Sequence, residues 1–341
     1  MAGKPILFCL LFICTAGFAQ IGGQHVYQFL NLVTSPRQAA LGGKVITLYD
    51  EDVNQAHFNP AAINVEMDNK LSLNYGNYYG EVAYGTASYA YTVDRHVQTF
   101  WGGVNYINYG TFEGRDENGE ITSDFTGSEV ALSFGYAYNI PATDIYVGGS
   151  FKAISSVLET YNSWGAAVDL GGIYVNEDTG LTLALSLRNI GTQITTYAGT
   201  HETLPFEIMA GISQKLEHVP IRWHLTLENL QQWNVSFSNP ARAVGTIDGG
   251  EEKEKVSAFN NALRHVIFGI ELFPEKGFNI RLGYNFRRAE ELRLLEQRNF
   301  SGLSAGFGLK INKLKFNYSY SRYTLAANTS LFGLTINFGD E

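Results

Sequence analysis

Most of this chain alternates apolar and polar residues with a period of two. In residues 181–187 every odd position is leucine, and the even positions are Thr, Ala and Ser. Alternate residues of a β-strand point to opposite faces of the sheet, so each such segment has one apolar face. Ten segments follow this pattern: 130–138, 166–174, 181–187, 206–212, 221–227, 266–272, 278–286, 303–311, 314–320 and 332–338.

Charged residues are confined to one of the two faces of these segments. The apolar face carries none. The intervening positions and segment ends carry Glu129, Asp169, Arg188, Glu207, Arg222, Glu271, Arg281, Lys310 and Lys315. A lysine or arginine facing lipid at mid-membrane costs about 2–4 kcal/mol, which explains the exclusion if the apolar face contacts hydrocarbon. A β-sandwich also alternates, but we expect more charge on its solvent face. The pattern predicts an all-β, transmembrane antiparallel β-barrel.

The composition agrees with a barrel and excludes some functions. Charged residues make up 17% of the chain, and the mean hydropathy is -0.09. These values are too polar for a helical membrane protein and low in charge for a soluble one. A wall with one lipid-facing side and one lumen-facing side averages to such values. The net charge of -9 argues against nucleic acid as a partner, because phosphate binding needs a basic surface.

The strand count and the connections predict how the barrel is oriented. Four less regular segments, 70–79, 82–93, 97–109 and 144–156, bring the number of strands to fourteen. Short connections alternate with longer ones such as 110–127, 157–163 and 228–264. In outer-membrane barrels the short connections are periplasmic turns and the long ones are external loops. Fourteen strands would then place both termini in the periplasm.

The first nineteen residues have the pattern of a cleavable signal peptide. Lys4 precedes an apolar run over 6–13, and Gly17-Phe18-Ala19 supplies the small residues of a cleavage site. We expect cleavage after Ala19. Both cysteines lie before that point, so the mature chain should contain no disulfide, thiolate metal site or cysteine nucleophile.

Residues 20–69 precede the first strand and are expected to form a separate hatch or plug, followed by the barrel over 70–341. Their apolar content argues against a disordered tail, and a fourteen-stranded barrel has a lumen wider than its own side chains can fill. Two short motifs in this segment are the candidate hatch residues. The second contains an Asn-Pro step, which favours a turn, although any loop can contain such a step. They are Ala40-Leu41-Gly42-Gly43 and Asn59-Pro60-Ala61.

The sequence shows no catalytic machinery. No nucleophile elbow, phosphate loop or paired-carboxylate motif occurs, and the seven histidines lack metal-ligand spacing. Residues 116–120 lack the ligand periodicity of a calcium loop and favour an ordinary turn. We therefore expect no enzyme activity, no metal and no cofactor.

The long connections are the candidate surfaces for a protein partner. The longest, 228–264, contains Asn234, Phe237 and Arg242. Arg287 and Arg288 lie in another, next to two glutamates, and this group is interpreted either as a solvated charge cluster or as a docking patch.

The N-terminal motifs also resemble a known family. The order is 22–30 (GGQHVYQFL), then Ser35-Pro36-Arg37, then the two hatch motifs. It resembles the PorQ family, outer-membrane components of the type IX secretion system of Bacteroidetes bacteria. Ser-Pro-Arg stands where Ser-Ala-Arg would be expected. The resemblance implies a FadL-like barrel of fourteen strands with an N-terminal hatch.

The resemblance also implies a non-enzymatic function. Such a barrel would anchor a PorZ-like surface protein, together with a PorU-like sortase and a PorV-like barrel, in the complex that attaches secreted cargo to the cell surface. One alternative is a FadL-like channel for hydrophobic small molecules, although the expected inner face is small and polar. Another is a soluble periplasmic β-protein whose apolar stripes pack against each other.

Overall fold

The computed structural model describes residues 25–78, 81–94, 98–116, 118–235, 244–245, 251–252, 256–292, 300–322 and 328–339. The expected signal peptide lies outside these residues. Within them, no helix has the length and apolar character needed to cross a membrane.

Fourteen antiparallel strands form a closed barrel in which each strand pairs with its neighbours in sequence and the last pairs with the first. The closing ladder places Leu73 opposite Leu334. The strands are β1 Lys70–Asn77, β2 Ala83–Asp94, β3 Gln98–Phe112, β4 Phe125–Asn139, β5 Ile145–Leu158, β6 Tyr161–Asn176, β7 Leu181–Thr195, β8 Glu207–Lys215, β9 Ile221–Leu227, β10 Val266–Leu272, β11 Phe278–Asn285, β12 Leu303–Ile311, β13 Leu314–Arg322 and β14 Asn328–Asn337. The predicted fourteen-stranded barrel is confirmed.

The apolar stripes point outward, as the alternation predicts. Leu185 is 51% exposed, whereas the next residue, Ser186, is fully buried. Large apolar side chains such as Phe134, Phe151 and Leu282 are about half exposed or more on the same outer surface. Soluble monomers do not display apolar surface on this scale. The outer surface is therefore the one that meets lipid, and the alternative of stripes packed against each other is wrong.

The two ends of the barrel differ. Strand β1 begins and strand β14 ends at the short-turn end, which also holds the connections 140–144, 177–180, 216–220, 273–277 and 312–313. The opposite, long-loop end holds the connection 228–265, in which Val244–Gly245 pairs with Glu251–Glu252. The expected loop at 157–163 is wrong, because β5 and β6 pair up to Leu158 and Tyr161 and leave a two-residue turn.

Short helices lie before the first strand and at the long-loop end. Before β1 lie α1 (Pro36–Ala40) and the 3-10 helices Gln28–Asn31, Val53–His57, Pro60–Ala62 and Val65–Met67; α2 (Ala258–Leu263) and α3 (Phe286–Glu291) lie at the long-loop end. Three of the 3-10 helices begin after Asp52, Asn59 and Asn64, and each of these side chains accepts a hydrogen bond from the backbone two residues on. Such capping suits Asp and Asn.

Candidate functional site

Residues 25–69, here called the N-terminal segment, lie inside the barrel. Trp101 on β3 donates a 2.8 Å hydrogen bond to the carbonyl of Val53, and Ser186 on β7 donates one of 2.7 Å to that of Phe58. On β10, the fully buried Glu271 carboxylate lies 2.9 Å from Arg37 of the segment. These strands belong to different sides of the closed wall. A segment that contacts them all occupies the lumen, and residues 34–48 and 52–64 are buried throughout.

The wall has glycine where the segment comes closest. A Cβ built on Gly283 would lie 2.0 Å from the backbone of both Leu41 and Gly42, and one built on Gly306 would lie 2.7 Å from the Cβ of Ala40. Both distances are well below van der Waals contact. Gly42 itself has φ 100°, in the region that favours glycine, just after α1. The first hatch motif therefore packs backbone to backbone against the wall.

The second motif packs against another side of the barrel. The Asn59 side chain accepts a hydrogen bond from the Ala61 N–H at 3.1 Å and donates one to the Ile46 carbonyl at 3.2 Å. A Cβ on Gly171 would lie 2.0 Å from Asn59 Oδ1, and one on Gly148 would lie 2.4 Å from the Pro60 carbonyl. Asn59 caps the helix Pro60–Ala62, and Asn59 and Pro60 pack closely against β6 and β5.

A first buried charge cluster, the Arg37 cluster, ties the segment to β9, β10 and β11. Arg37 Nη2 lies 2.8 Å from Asp50 and 2.9 Å from Glu271. On the wall, Arg281 lies 2.8 Å from Glu271, and Arg222 lies 3.3 Å from Asp50. Burial acts against the charged form of Asp50, but the Arg37 guanidinium dominates and holds the pKa of Asp50 well below its usual range.

A second cluster, the Lys44 cluster, ties the segment to β7 and β8. Lys44 Nζ lies 2.7 Å from Glu207, and Arg188 lies 2.8 Å from the same carboxylate. Arg188 also donates a 2.8 Å hydrogen bond to the carbonyl of Leu30. Glu228 supplies a second carboxyl group, 4.0 Å from Lys44.

The inner-face carboxylates noted in the sequence take part in structural contacts. Asp169 pairs with Lys152 at 2.6 Å, and Glu129 accepts a hydrogen bond from the Tyr109 hydroxyl. Glu207 belongs to the Lys44 cluster. Nearby, burial lowers the pKa of His57 to about 3, helped by the positive charge of Lys152 and Arg188, so this histidine is neutral near pH 7. Within the described part of the chain, no group of His, Asp or Glu side chains is arranged to hold a metal ion.

A cavity of about 340 Å³ lies at the long-loop end, between the segment and the wall. Its lining mixes charged and apolar side chains and includes Lys44, Glu228, Ile267, Arg287, Arg288 and Leu331. Arg287 pairs with Glu291 at 2.7 Å, and Arg288 donates hydrogen bonds to the carbonyl of Ser301 at 2.7 Å and to the Ser304 hydroxyl at 2.6 Å. The two arginines predicted as partner contacts therefore line this mouth cavity.

The structure places only part of the predicted partner loop. Asn234 is exposed on it, next to Trp233, which stacks on His265 with ring centroids 5.8 Å apart. Phe237 and Arg242 lie outside the described residues.

Several residues of the site were not predicted. Lys44 and the wall residues Trp101 and Lys152 belong to it, as do the inward glycines. So does His224, whose Nδ1 lies 3.2 Å from the Thr47 hydroxyl. The signal that could have located the close contacts is the recurrence of glycine on the polar face of several strands. Gly211, Gly269, Gly283 and Gly306 all lie on that face.

The fold has a counterpart among solved structures. The crystal structure of the Ralstonia pickettii toluene transporter TbuX matches with a TM-score of 0.53 at 15% identity, covering 91% of this chain and 99% of that one. This chain shares its fold. A Pseudomonas aeruginosa FadL homologue is similar at a TM-score of 0.49 and 10% identity, covering 89% of this chain and 97% of that one. No family model and no curated protein matches the chain. At such identities the likeness concerns the fold and not the function.

Proposed function

We propose that this chain is a non-enzymatic outer-membrane anchor, whose lumen is kept closed by the N-terminal segment and whose long-loop end holds a surface protein. The observation that carries the proposal is the way the segment is fixed. Two buried charge clusters join it to the wall, and inward-facing glycines on several strands let its backbone pack directly against them. An open pore would require these contacts to be broken together.

The partner follows from the sequence resemblance. If the chain is a PorQ-type component, the protein held would be PorZ-like, within a complex that also contains a PorU-like sortase and a PorV-like barrel. This assignment rests on the N-terminal residues alone. The connection 228–265 is the candidate contact, because it is the longest loop and contains Trp233, which is 64% exposed. Exposed tryptophan is enriched at the centres of protein interfaces.

A FadL-like channel for hydrophobic small molecules is the second candidate. The structural comparison supports it more directly than the anchor, because the similar solved structure is a toluene transporter. The mouth cavity, with Ile267 and Leu331 beside its charged residues, would be the entry site. This function requires a passage past the N-terminal segment or through the wall.

One experiment separates the two functions. Cells that lack the protein are complemented with the wild type, with a variant lacking residues 236–255, or with a control variant lacking residues 117–120 of another long-loop connection. Surface retention of a PorZ-like protein and uptake of toluene are measured in each strain. The anchor predicts that only the first deletion releases the surface protein and that toluene uptake is unchanged throughout.

The opposite result would overturn the anchor. If retention is independent of the protein while toluene uptake falls in its absence and returns with the wild type, the channel is the function. Heat-modifiable electrophoretic mobility of each variant shows that the barrel has assembled.

A further inference from the structure

The N-terminal segment begins at the long-loop end of the barrel. The His25 Nδ1 atom lies 2.8 Å from the Thr203 hydroxyl oxygen, and the Val26 N–H donates a 3.0 Å hydrogen bond to the carbonyl of Thr203. Thr203 belongs to the connection 196–206, which joins the long-loop ends of β7 and β8. The start of the segment therefore lies at the mouth that carries the long connections.

From this mouth the segment descends along β6 and β7. Tyr27 is 2% exposed, and its hydroxyl oxygen lies 2.5 Å from that of Ser163 on β6. A Cβ built on Gly165 would lie 2.5 Å from the Tyr27 ring. Further down, the carbonyl of Leu30 accepts the hydrogen bond from Arg188, which lies seven residues before the long-loop end of β7.

The segment reaches the opposite end of the barrel before β1 begins. Glu51 Oε1 lies 3.1 Å from Lys315 Nζ, close to the turn 312–313. Glu51 Oε2 lies 2.9 Å from the Nζ of Lys70, the first residue of β1. Both lysines are at the short-turn end. The chain therefore crosses the full height of the lumen between His25 and Glu51.

Two aromatic residues on β6 mark the height of the lipid-facing surface. Trp164, which is 55% exposed, and Tyr174 lie near opposite ends of the outward stripe of this strand. A separation of ten residues, at about 3.3 Å per residue and a tilt of about 40°, is about 25 Å, the usual height of the apolar band between aromatic girdles. Ser163, the partner of Tyr27, follows Trp164 toward the long-loop end. Tyr27 therefore lies where the apolar band ends, and His25 lies beyond it.

The residues that precede His25 are too few to lead back through the barrel. After the expected cut behind Ala19, residues 20–24 precede His25, and five residues span at most about 18 Å. Strand β7 has 15 residues, so with the same rise and tilt it is about 38 Å tall. The amino terminus of the processed chain therefore cannot reach the short-turn end.

We propose that the chain enters the barrel from the cell exterior, so that the amino terminus left by leader removal is displayed on the cell surface. Long connections are external in outer-membrane barrels, and His25 lies at the end that carries them. Strand β14 ends at the other end. The two termini then lie on opposite sides of the membrane. The expectation that both are periplasmic came from the strand count, which places β1 and β14 but not the segment before them.

The same path implies an order for two steps in the formation of the protein. Leader removal hydrolyses the peptide bond after Ala19: water adds across the bond, leaving a carboxylate on Ala19 and an amine on Gln20. A secretory leader is removed in forming the mature protein, and in a cell with two membranes this happens at the inner one. The new amine must therefore pass to the exterior before the wall closes around the segment, so hydrolysis precedes closure. The proposal depends on neither the anchor nor the channel function.

Single cysteines test the topology, because the processed chain contains none of its own. His25→Cys and Gln28→Cys report on the start of the segment, where Gln28 is exposed. The references are Asn118→Cys in an external connection and Glu275→Cys in a short turn, both at exposed positions. Cells that express each full-length variant are treated with a membrane-impermeant maleimide, before and after permeabilisation of the outer membrane.

We expect His25→Cys and Gln28→Cys to be labelled in intact cells, as Asn118→Cys is, and Glu275→Cys to be labelled only after permeabilisation. Labelling of both segment cysteines only after permeabilisation would overturn the proposal, and so would labelling of Glu275→Cys in intact cells. If the segment cysteines react in neither state, an epitope inserted between Gln20 and Ile21 decides. Antibody binding to intact cells supports the proposal, and binding only to permeabilised cells overturns it.

The order of the two steps is tested with a folded obstacle. A small disulfide-bonded domain that folds in the periplasm, fused between Ala19 and Gln20, should abolish the heat-modifiable barrel, whereas the unstructured epitope should not. The same domain inserted after Glu275, on the periplasmic side, is the matched control and should leave assembly intact. A heat-modifiable barrel at wild-type yield from the N-terminal fusion would overturn this order.

Discussion

A methyl group added at Gly283 should disrupt the packing of the N-terminal segment. The added Cβ would lie 2.0 Å from the backbone nitrogen of Gly42 and from the carbonyl carbon of Leu41. Ordinary contacts begin near 3.4 Å, so the two chains must separate by more than 1 Å against backbone that is fixed on both sides. Overpacking of a filled interior costs about 1–3 kcal/mol. We expect Gly283→Ala to fall at the upper end, near 3 kcal/mol.

The matched control is Gly172→Ala on the outer face of β6. A Cβ at Gly172 meets nothing within 4 Å, and replacing a strand glycine at an unstrained position usually stabilises by about 0.4–1 kcal/mol. Urea unfolding of both variants in the same micelles, followed by tryptophan fluorescence and by heat-modifiable mobility, gives the two free energies. The reasoning is refuted if Gly283→Ala unfolds at the same urea concentration as Gly172→Ala.

Three further outcomes are expected. Arg37→Met should lower the free energy of unfolding by about 3 kcal/mol. This is the lower end of the usual cost of breaking a buried pair, because Arg281 and Arg222 still face the two carboxylates. The control Arg115→Met, at an exposed pair, should change the free energy of unfolding by less than about 1 kcal/mol, and equal urea midpoints for the two variants would contradict the prediction. Leu185→Arg should reduce the yield of heat-modifiable barrel, since a cation on the lipid face costs about 2–4 kcal/mol; undiminished assembly would place Leu185 away from lipid. Burial acts against the charge of Glu51, but Lys315, Lys70 and Lys310 dominate and lower its pKa to about 2. The stability that the ionised Glu51 contributes is therefore complete above its ordinary pKa of 4.5 and is lost as the pH falls through 2. A stability difference between wild type and Glu51→Gln that is unchanged from pH 7 to pH 2 would exclude this role.

The barrel could be predicted from sequence because lipid imposes a local rule. Each strand must keep charge off one face, and this leaves a period-two signal within a few residues. The rule fails where strands extend beyond the membrane. At 157–163 the ladder between β5 and β6 continues through Asn162 and Ser163. These residues are polar, so the sequence predicts a long loop where the structure has paired strands and a tight turn.

The contents of the lumen were less predictable. The alternation alone predicts that arginine is tolerated better at Ser186 than at Leu185. The structure shows that both should fail, because Ser186 is fully buried and its hydroxyl donates to the Phe58 carbonyl. Periodicity shows which side chains point into the lumen but does not show what fills the lumen. Arg37 and Glu271 are 234 residues apart, and no local pattern pairs them.

The position of the N-terminal segment against the wall is the central claim, and a single cross-link tests it. A Cβ built on Gly269 lies 3.0 Å from the Cβ of Leu41, slightly closer than the roughly 3.5–4.5 Å of a disulfide. Leu41→Cys with Gly269→Cys, expressed without residues 1–19 so that Cys9 and Cys14 are absent, should oxidise to a disulfide in the assembled barrel that peptide mass spectrometry detects. Leu41→Cys with Gly172→Cys should form none. Failure of the first pair to cross-link in a correctly assembled barrel, or equal cross-linking of both, would contradict the account.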